Sequence, residues 1–197
     1  MSGETHLYLV RHGESEANAA RVFTGQTDSP LTERGREQAR TVARVLAPIH
    51  FDRIASSDLS RTRDTAEVIA SGRGIPVETY AGLREIDLGR MAGRGWDEAR
   101  GLPNYDSDGF VQWPGGESLE QVLTRALSVI DTLVHESSGK TICVVGHGGV
   151  TRILVSNFFG VLPKLIRTTA QNTNVTVAVH DGAGYRVESL FDDAHLP

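Results

Sequence analysis

Short apolar runs alternate along this chain with longer stretches whose apolar residues recur every three or four positions. Residues 7–10, 53–56, 75–80 and 141–145 are runs of strand length, too short for helices. The first and the last are apolar enough to be buried on both faces of a sheet. Between them, Thr32 is placed to cap a helix that runs to about Ala47 and ends at Pro48, with Ala39, Val42, Ala43, Val45 and Leu46 as its stripe. Asp58 is expected to cap a second helix carrying Ala66, Val68, Ile69 and Ala70, which Gly72 and Gly74 stop. Residues 115–118 open a long amphipathic helix ending near Glu136, and a fourth helix runs from Gly148 to Phe159 with Gly160 closing it. Residues 174–180 and 185–189 alternate like the two strands of a hairpin across Asp181-Gly182. Residues 22–30 read as loop, and residues 82–114 as mostly loop with one helical turn near Asp97. Strand–helix alternation predicts an α/β fold with a mainly parallel sheet covered on both faces.

Composition narrows this picture little. No repeat or linker divides the 197 residues, so one domain with a sizeable core is expected. A formal net charge of −5 gives no support to binding of nucleic acid or an anionic membrane, and any anion site must be a local gathering of cations. The single cysteine, Cys143, lies inside an apolar run and reads as a buried small hydrophobe. One cysteine allows no internal disulfide, which suits a reducing cytoplasm. The start MSGETHLYLV has no basic region followed by a long apolar core, so no signal peptide is expected. No apolar run approaches the roughly 18 residues of a membrane span.

Polar groups gather where the strands end. Arg11-His12-Gly13 follows the first strand, offering a guanidinium fork for phosphate and an imidazole able to act as nucleophile or proton carrier. Gly13 there is expected to let the chain turn sharply and to keep side-chain bulk away from whatever approaches. Arg61 falls in the first helical turn after the second strand, and Glu85 follows the third. His147 follows the fourth, where Gly148-Gly149 opens a helix whose N-terminus favours anions. Each residue alone has an ordinary explanation: a solvated arginine, a loop acid, a capping histidine. If the four strand exits share one sheet edge, they make a phosphate pocket with a proton donor beside it.

Arg11-His12-Gly13-Glu14-Ser15, SSDLSRTRDTA, LREIDLG, PGGES and GHGG occur in an order that resembles the histidine phosphatase superfamily, which includes the cofactor-dependent phosphoglycerate mutases. The resemblance implies a three-layer α/β/α sandwich with a mostly parallel sheet of about six strands and a C-terminal hairpin element. It implies that His12 is the nucleophile, that Arg11, Arg61 and His147 bind the phosphoryl group, and that Glu85 is the proton donor. It adds Asn18 as a phosphate ligand and Thr24 and Gly25 as substrate contacts, while Gly148 lies at the same helix start. A specificity wall is expected from Arg84 and residues 91–113. The sequence departs from the family after the acid, where Gly89-Arg90-Met91-Ala92-Gly93 lacks the common aromatic and Glu.

These residues predict phosphomonoester hydrolysis through a phosphohistidine, without metal or other cofactor, on a small phosphorylated metabolite, with inorganic phosphate as the other ligand. Arg11 and Arg61 oppose protonation of His12 and keep its lone pair available. Two rivals stay open: a mutase that returns the phosphoryl group to another hydroxyl, and a non-catalytic phosphoryl-binding module. The segment between Glu85 and Pro114 is short for a lid over a phosphoenzyme, which favours hydrolysis. A cysteine phosphatase loop, a GxxxxGK[ST] loop and a dinucleotide fingerprint all fail on spacing, Thr151 standing where the last would need a glycine. The sequence leaves a homodimer open and does not name the natural substrate.

Overall fold

The computed structural model describes residues 3–105, 107–167 and 171–196. Its strands are β1 (Thr5–Arg11), β2 (Arg53–Ser56), β3 (Val77–Thr79), β4 (Thr141–Gly146), β5 (Val175–His180) and β6 (Tyr185–Asp192). They form one six-stranded sheet in the order β3-β2-β4-β1-β5-β6. The first four in that order run parallel, and β5 and β6 add an antiparallel edge. The helices are α1 (Glu16–Ala19), α2 (Glu33–Val45), α3 (Ser60–Ala70), α4 (Leu119–Glu136) and α5 (Gly148–Phe158).

The central strands explain the layers. Along β4, Cys143 and Val145 join Val10, Ile54, Val42 and Ile69 in one core, under α2 and α3. Ile142 and Val144 point the other way and join Leu7, Leu9, Ile130 and Ile153, under α4 and α5. A strand covered on both sides needs apolar residues at every position, so its run is unbroken. Edge strand β6 instead alternates half-buried and exposed residues along its length.

Register brings the strand ends to one edge. Arg11 pairs with Gly146 across β1 and β4, and Ser56 pairs with Val145 across β2 and β4. The next residues along, His12, His147 and Ser57, therefore leave the sheet side by side, at the carboxyl ends where α/β ligands bind.

Several expected boundaries move. Thr32 caps α2 as predicted, its hydroxyl accepting from Gly35 N at 2.9 Å. Ser118 and Gln121 form a capping box at the start of α4. Asp58 does not cap α3. Leu59 occupies the cap position without a side-chain bond, and Asp28 arrives from the loop before α2 to accept from Ser60 N at 2.9 Å and Ser60 Oγ at 2.7 Å. Asp58 is drawn off by the fork of Arg84, at 2.7 and 2.6 Å. The third strand keeps three residues, and β6 extends to Asp192. The turn α1, closed by Ser15 and Asn18 capping each other's backbone, is too short to show an apolar period. The stretch from Ala81 onward carries 3-10 turns at Ala81–Leu83, Gly89–Met91 and Trp96–Ala99.

Candidate active site

His12 is set by its own turn. Its backbone N–H donates to Gly146 O at 3.1 Å, and its carbonyl accepts from Asn172 Nδ2 at 3.0 Å. Ring Nδ1 lies 2.7 Å from Gly13 O, a carbonyl that can only accept, so Nδ1 carries the proton and Nε2 keeps a lone pair. The residue is 4% exposed. Burial, and then the Arg11 and Arg61 charges, hold its pKa well below the ordinary 6.5, so the ring is neutral at neutral pH.

Gly13 serves packing. A Cβ on it would lie 2.3 Å from Gly35 O, and one on Gly35 would lie 2.0 Å from Glu14 O. The histidine loop and α2 thus meet backbone to backbone, so Gly35 is the group whose approach Gly13 permits. Gly13 N also donates to Thr65 Oγ1 on α3 at 3.1 Å, so the loop is held by α2 and α3 together.

His147 is fully buried, and its ring packs edge-on against that of His12 at 5.2 Å between centroids. It occupies the N-cap position of α5 yet makes no side-chain cap bond, so the capping explanation fails. Neither ring nitrogen has a hydrogen-bond partner among the described residues. A buried polar group left so costs about 1–3 kcal/mol, a cost that an oxyanion accepting from the ring would remove. Burial, then Arg61, lead the causes that hold its pKa well below 6.5.

Arg61, 1% exposed, reaches from α3 to donate to Gly25 O at 2.8 Å and Thr27 O at 3.0 Å. It supplies charge to the pocket and holds the loop expected to touch substrate. Burial is the leading influence lowering the pKa of both Arg11 and Arg61, and both remain cationic because an arginine starts near 12.5. Glu85 interacts with both guanidinium charges. Its Oε1 accepts from Ile86 N at 2.9 Å and its Oε2 from Gly149 N at 3.2 Å, which places the acid on the first turn of α5. The two glycines there are close approaches: a Cβ on Gly148 would lie 3.2 Å from Arg11 Nε, and one on Gly149 2.6 Å from Glu85 Oε1.

The structure therefore brings Arg11, His12, Arg61, Glu85 and His147 into one cluster, in which His12, Arg61 and His147 are buried and Arg11 and Glu85 half-buried, with Gly148 against Arg11. Asn18 lies at its border, its Oδ1 accepting from Ser15 N at 3.3 Å and from Asn172 Nδ2 at 3.2 Å. Gly25 has a φ of 53°, and a Cβ on it would lie 2.9 Å from Ile86 O, so the Thr24–Gly25 turn rests on the acid's loop. Arg84 does not join the cluster's cations, since Asp58 occupies its fork. Sequence reading missed Asn172, which bridges His12 O and Asn18, and the pair Arg125–Glu117 beneath the acid's loop. The only signal for that pair was an acid and an arginine eight residues apart, about two helical turns.

Cys143 takes no part, being fully buried with its thiol pushed up to about 12 by that burial. Among the described residues, no three His, Cys, Asp or Glu side chains gather as metal ligands.

A parallel-centred sheet whose strand ends converge on two imidazoles, two guanidinium groups and a carboxyl group defines an α/β protein built to hold an oxyanion. The chain belongs to the histidine phosphatase superfamily (branch 1), whose family model matches residues 7–193. Members of that superfamily are phosphatases and mutases that work through a phosphohistidine. The probable phosphoglycerate mutase GpmB of Cronobacter sakazakii is 36% identical, with 96% of this chain and 94% of that protein aligned. YhfR of Bacillus stearothermophilus superposes with a TM-score of 0.90 at 32% identity, covering 98% of this chain and 100% of that one. A phosphoserine phosphatase of Entamoeba histolytica, solved with 3-phosphoglyceric acid, superposes at 0.85 with 29% identity, over 98% and 100%.

Proposed function

We propose that this chain, working as a single domain in the cytoplasm, hydrolyses small phosphomonoesters through a phospho-His12 intermediate, with neither metal nor organic cofactor. The observation that carries this reading is His12 itself: neutral, fixed in the Nδ1–H tautomer, and placed among Arg11, Arg61 and His147, with Glu85 acting on both guanidinium charges. Nε2 attacks phosphorus and the P–O ester bond breaks. The departing alkoxide takes the proton of Glu85 and leaves as the alcohol. Water then attacks phospho-His12, Glu85 accepts its proton, and inorganic phosphate is released. A proton donor of this kind contributes about 10²–10⁴-fold. Arg11, Arg61 and His147 stabilise the charge spread over the equatorial oxygens, the work a metal ion would otherwise do. Asn18, Thr24 and Gly148 complete the contacts to the substrate, and Arg84 joins them where a substrate carboxylate or phosphate displaces Asp58. No nucleic-acid or membrane partner belongs to this reading.

Relatedness to the probable mutase supports a second reading, phosphoryl isomerisation. The arrangement of residues 93–96 and of Trp113 favours hydrolysis. They are laced to residues 21–23 by Phe23 N–Arg94 O at 2.8 Å, Gly93 N–Phe23 O at 2.7 Å and Trp96 N–Arg21 O at 2.9 Å. Phe23 meets the ring of Trp113 edge-on at 5.4 Å and that of Trp96 at 6.4 Å. This is the geometry of a fixed wall, and a mutase needs a lid that keeps water from its intermediate.

The test is turnover of 4-nitrophenyl phosphate and glycerol 1-phosphate after exhaustive chelation, in the wild type and in His12→Ala. The reading expects full wild-type activity and a loss of at least about 10³-fold in the variant. Activity lost on chelation and restored by a divalent ion would overturn it, as would a His12→Ala variant close to wild type.

A further inference from the structure

Beneath the acid's loop, Arg125 of α4 spends its whole guanidinium group on one job. Its Nη1 donates to Gly82 O at 2.8 Å and Arg84 O at 2.6 Å, and its Nη2 donates to Glu85 O at 3.0 Å. Nε and Nη2 also fork onto Glu117, at 2.7 and 2.8 Å. Glu117 then accepts from Asp87 N at 2.8 Å and from Gln26 Nε2 at 3.4 Å. The carbonyls on both sides of Glu85, the amide two residues beyond it and the substrate loop all converge on this one ion pair. Its two side chains are 20% and 17% exposed, low for a surface pair.

We propose that Arg125, locked by Glu117, is the positioning residue for the proton donor: it fixes the height of the Glu85 carboxyl group over the leaving oxygen. This rests on the proposed reaction and adds which residue governs its leaving-group step. Five directed hydrogen bonds suit a planar fork, and an ammonium at the same position cannot satisfy them. A misplacement of about 1 Å at a reacting group can cost on the order of 10²-fold. The cost falls only on substrates that need the proton. An alkoxide cannot leave without it, whereas 4-nitrophenolate leaves unaided.

The experiment compares kcat/KM, which covers steps only through departure of the leaving group, for glycerol 1-phosphate and 4-nitrophenyl phosphate. It uses the wild type, Glu85→Gln, Arg125→Ala, Arg125→Lys and Glu117→Gln, with thermal melting of each. Arg125→Ala and Arg125→Lys are expected to lose about tenfold or more on the alkyl ester and less than about threefold on the aryl ester. Glu117→Gln, which keeps an acceptor but not the charge, is expected to lose the same way by a smaller factor. Equal losses on both esters, or Arg125→Lys matching the wild type on both, would overturn the positioning role and leave a structural or purely electrostatic one. If Arg125→Ala does not fold, Arg125→Lys and Glu117→Gln decide by the same comparison. Glu85→Gln separates the two levels: no ester selectivity in that variant refutes Glu85 as donor, whereas selectivity there and none at Arg125 refutes only the positioning role.

Discussion

Buried imidazoles tie this protein's stability to pH. In the folded chain, burial foremost and the neighbouring arginines next hold His12 and His147 well below the ordinary pKa of 6.5. In the unfolded chain both titrate near that value. Above pH 6.5 neither state binds the protons and stability is unaffected. Below it the unfolded state alone binds them, so stability falls as pH drops towards the folded values. Each histidine contributes a slope of about 1.4 kcal/mol per pH unit there, or about 2.7 for the pair. Urea unfolding at pH 7.5 and 5.5 checks this: a clear loss of stability is expected, with a shallower slope in His147→Gln. Equal stability at the two pH values would contradict it. The acid limb of kcat/KM is expected below pH 6.5 for the same reason, since His12 must be neutral to attack. The need for a neutral His12 is legible from Arg11 and Arg61 in the sequence. Its tautomer is not, because the partner of Nδ1 is a backbone carbonyl, which carries no residue-type signal.

Between elements, glycines set the distances. Gly35 on α2 and Gly13 touch through their backbones, and Gly149 on α5 supports the Glu85 carboxylate. Alanine at these positions should act in two different ways. In Gly35→Ala the new Cβ meets the Glu14 backbone at 2.0 Å, which cannot yield without parting α2 from the histidine loop. A destabilisation of about 1–3 kcal/mol is expected, read by urea melts. In Gly149→Ala the Cβ meets Glu85 Oε1 at 2.6 Å and Ile86 Cδ1 at 2.7 Å, both ends of side chains that can shift without moving the backbone. That variant should melt within about 1 kcal/mol of the wild type, because alanine also favours the helix, yet lose about 10–100-fold in alkyl phosphate turnover. Unchanged turnover in Gly149→Ala would show that Glu85 is not held there for catalysis. Helix starts were readable where the cap is local, as at Thr32 and Ser118. The start of α3 was misread because its cap, Asp28, comes from another loop while Asp58 serves Arg84. A one-sequence reading sees spacing along the chain and not such exchanges across it.

At the scale of the whole molecule, the sheet does the assembling. Placing β4 between β1 and β2 brings His147 between the histidine loop and the start of α3, although the three segments are far apart in sequence. The layers and the parallel core were legible because strands buried on both faces have unbroken apolar runs. Four of the site's five central residues were legible because each ends a strand or opens the element after it, whereas Glu85 sits six residues past β3, beyond a 3-10 turn, and was legible through its LREIDLG motif. The wall made by residues 93–96 and Trp113 was not, since its contacts are backbone bonds to residues 21–23 and aromatic packing on Phe23. That wall bears on the central claim that water, and not a second hydroxyl, takes the phosphoryl group. The direct measurement is a rapid-quench single turnover with radiolabelled 3-phosphoglycerate, following label on His12, in inorganic phosphate and in 2-phosphoglycerate. The account predicts a short-lived, acid-labile and base-stable phosphoenzyme that decays into inorganic phosphate at the rate it disappears. A phosphoenzyme that resists water and passes its label to 2-phosphoglycerate faster than to phosphate would contradict it.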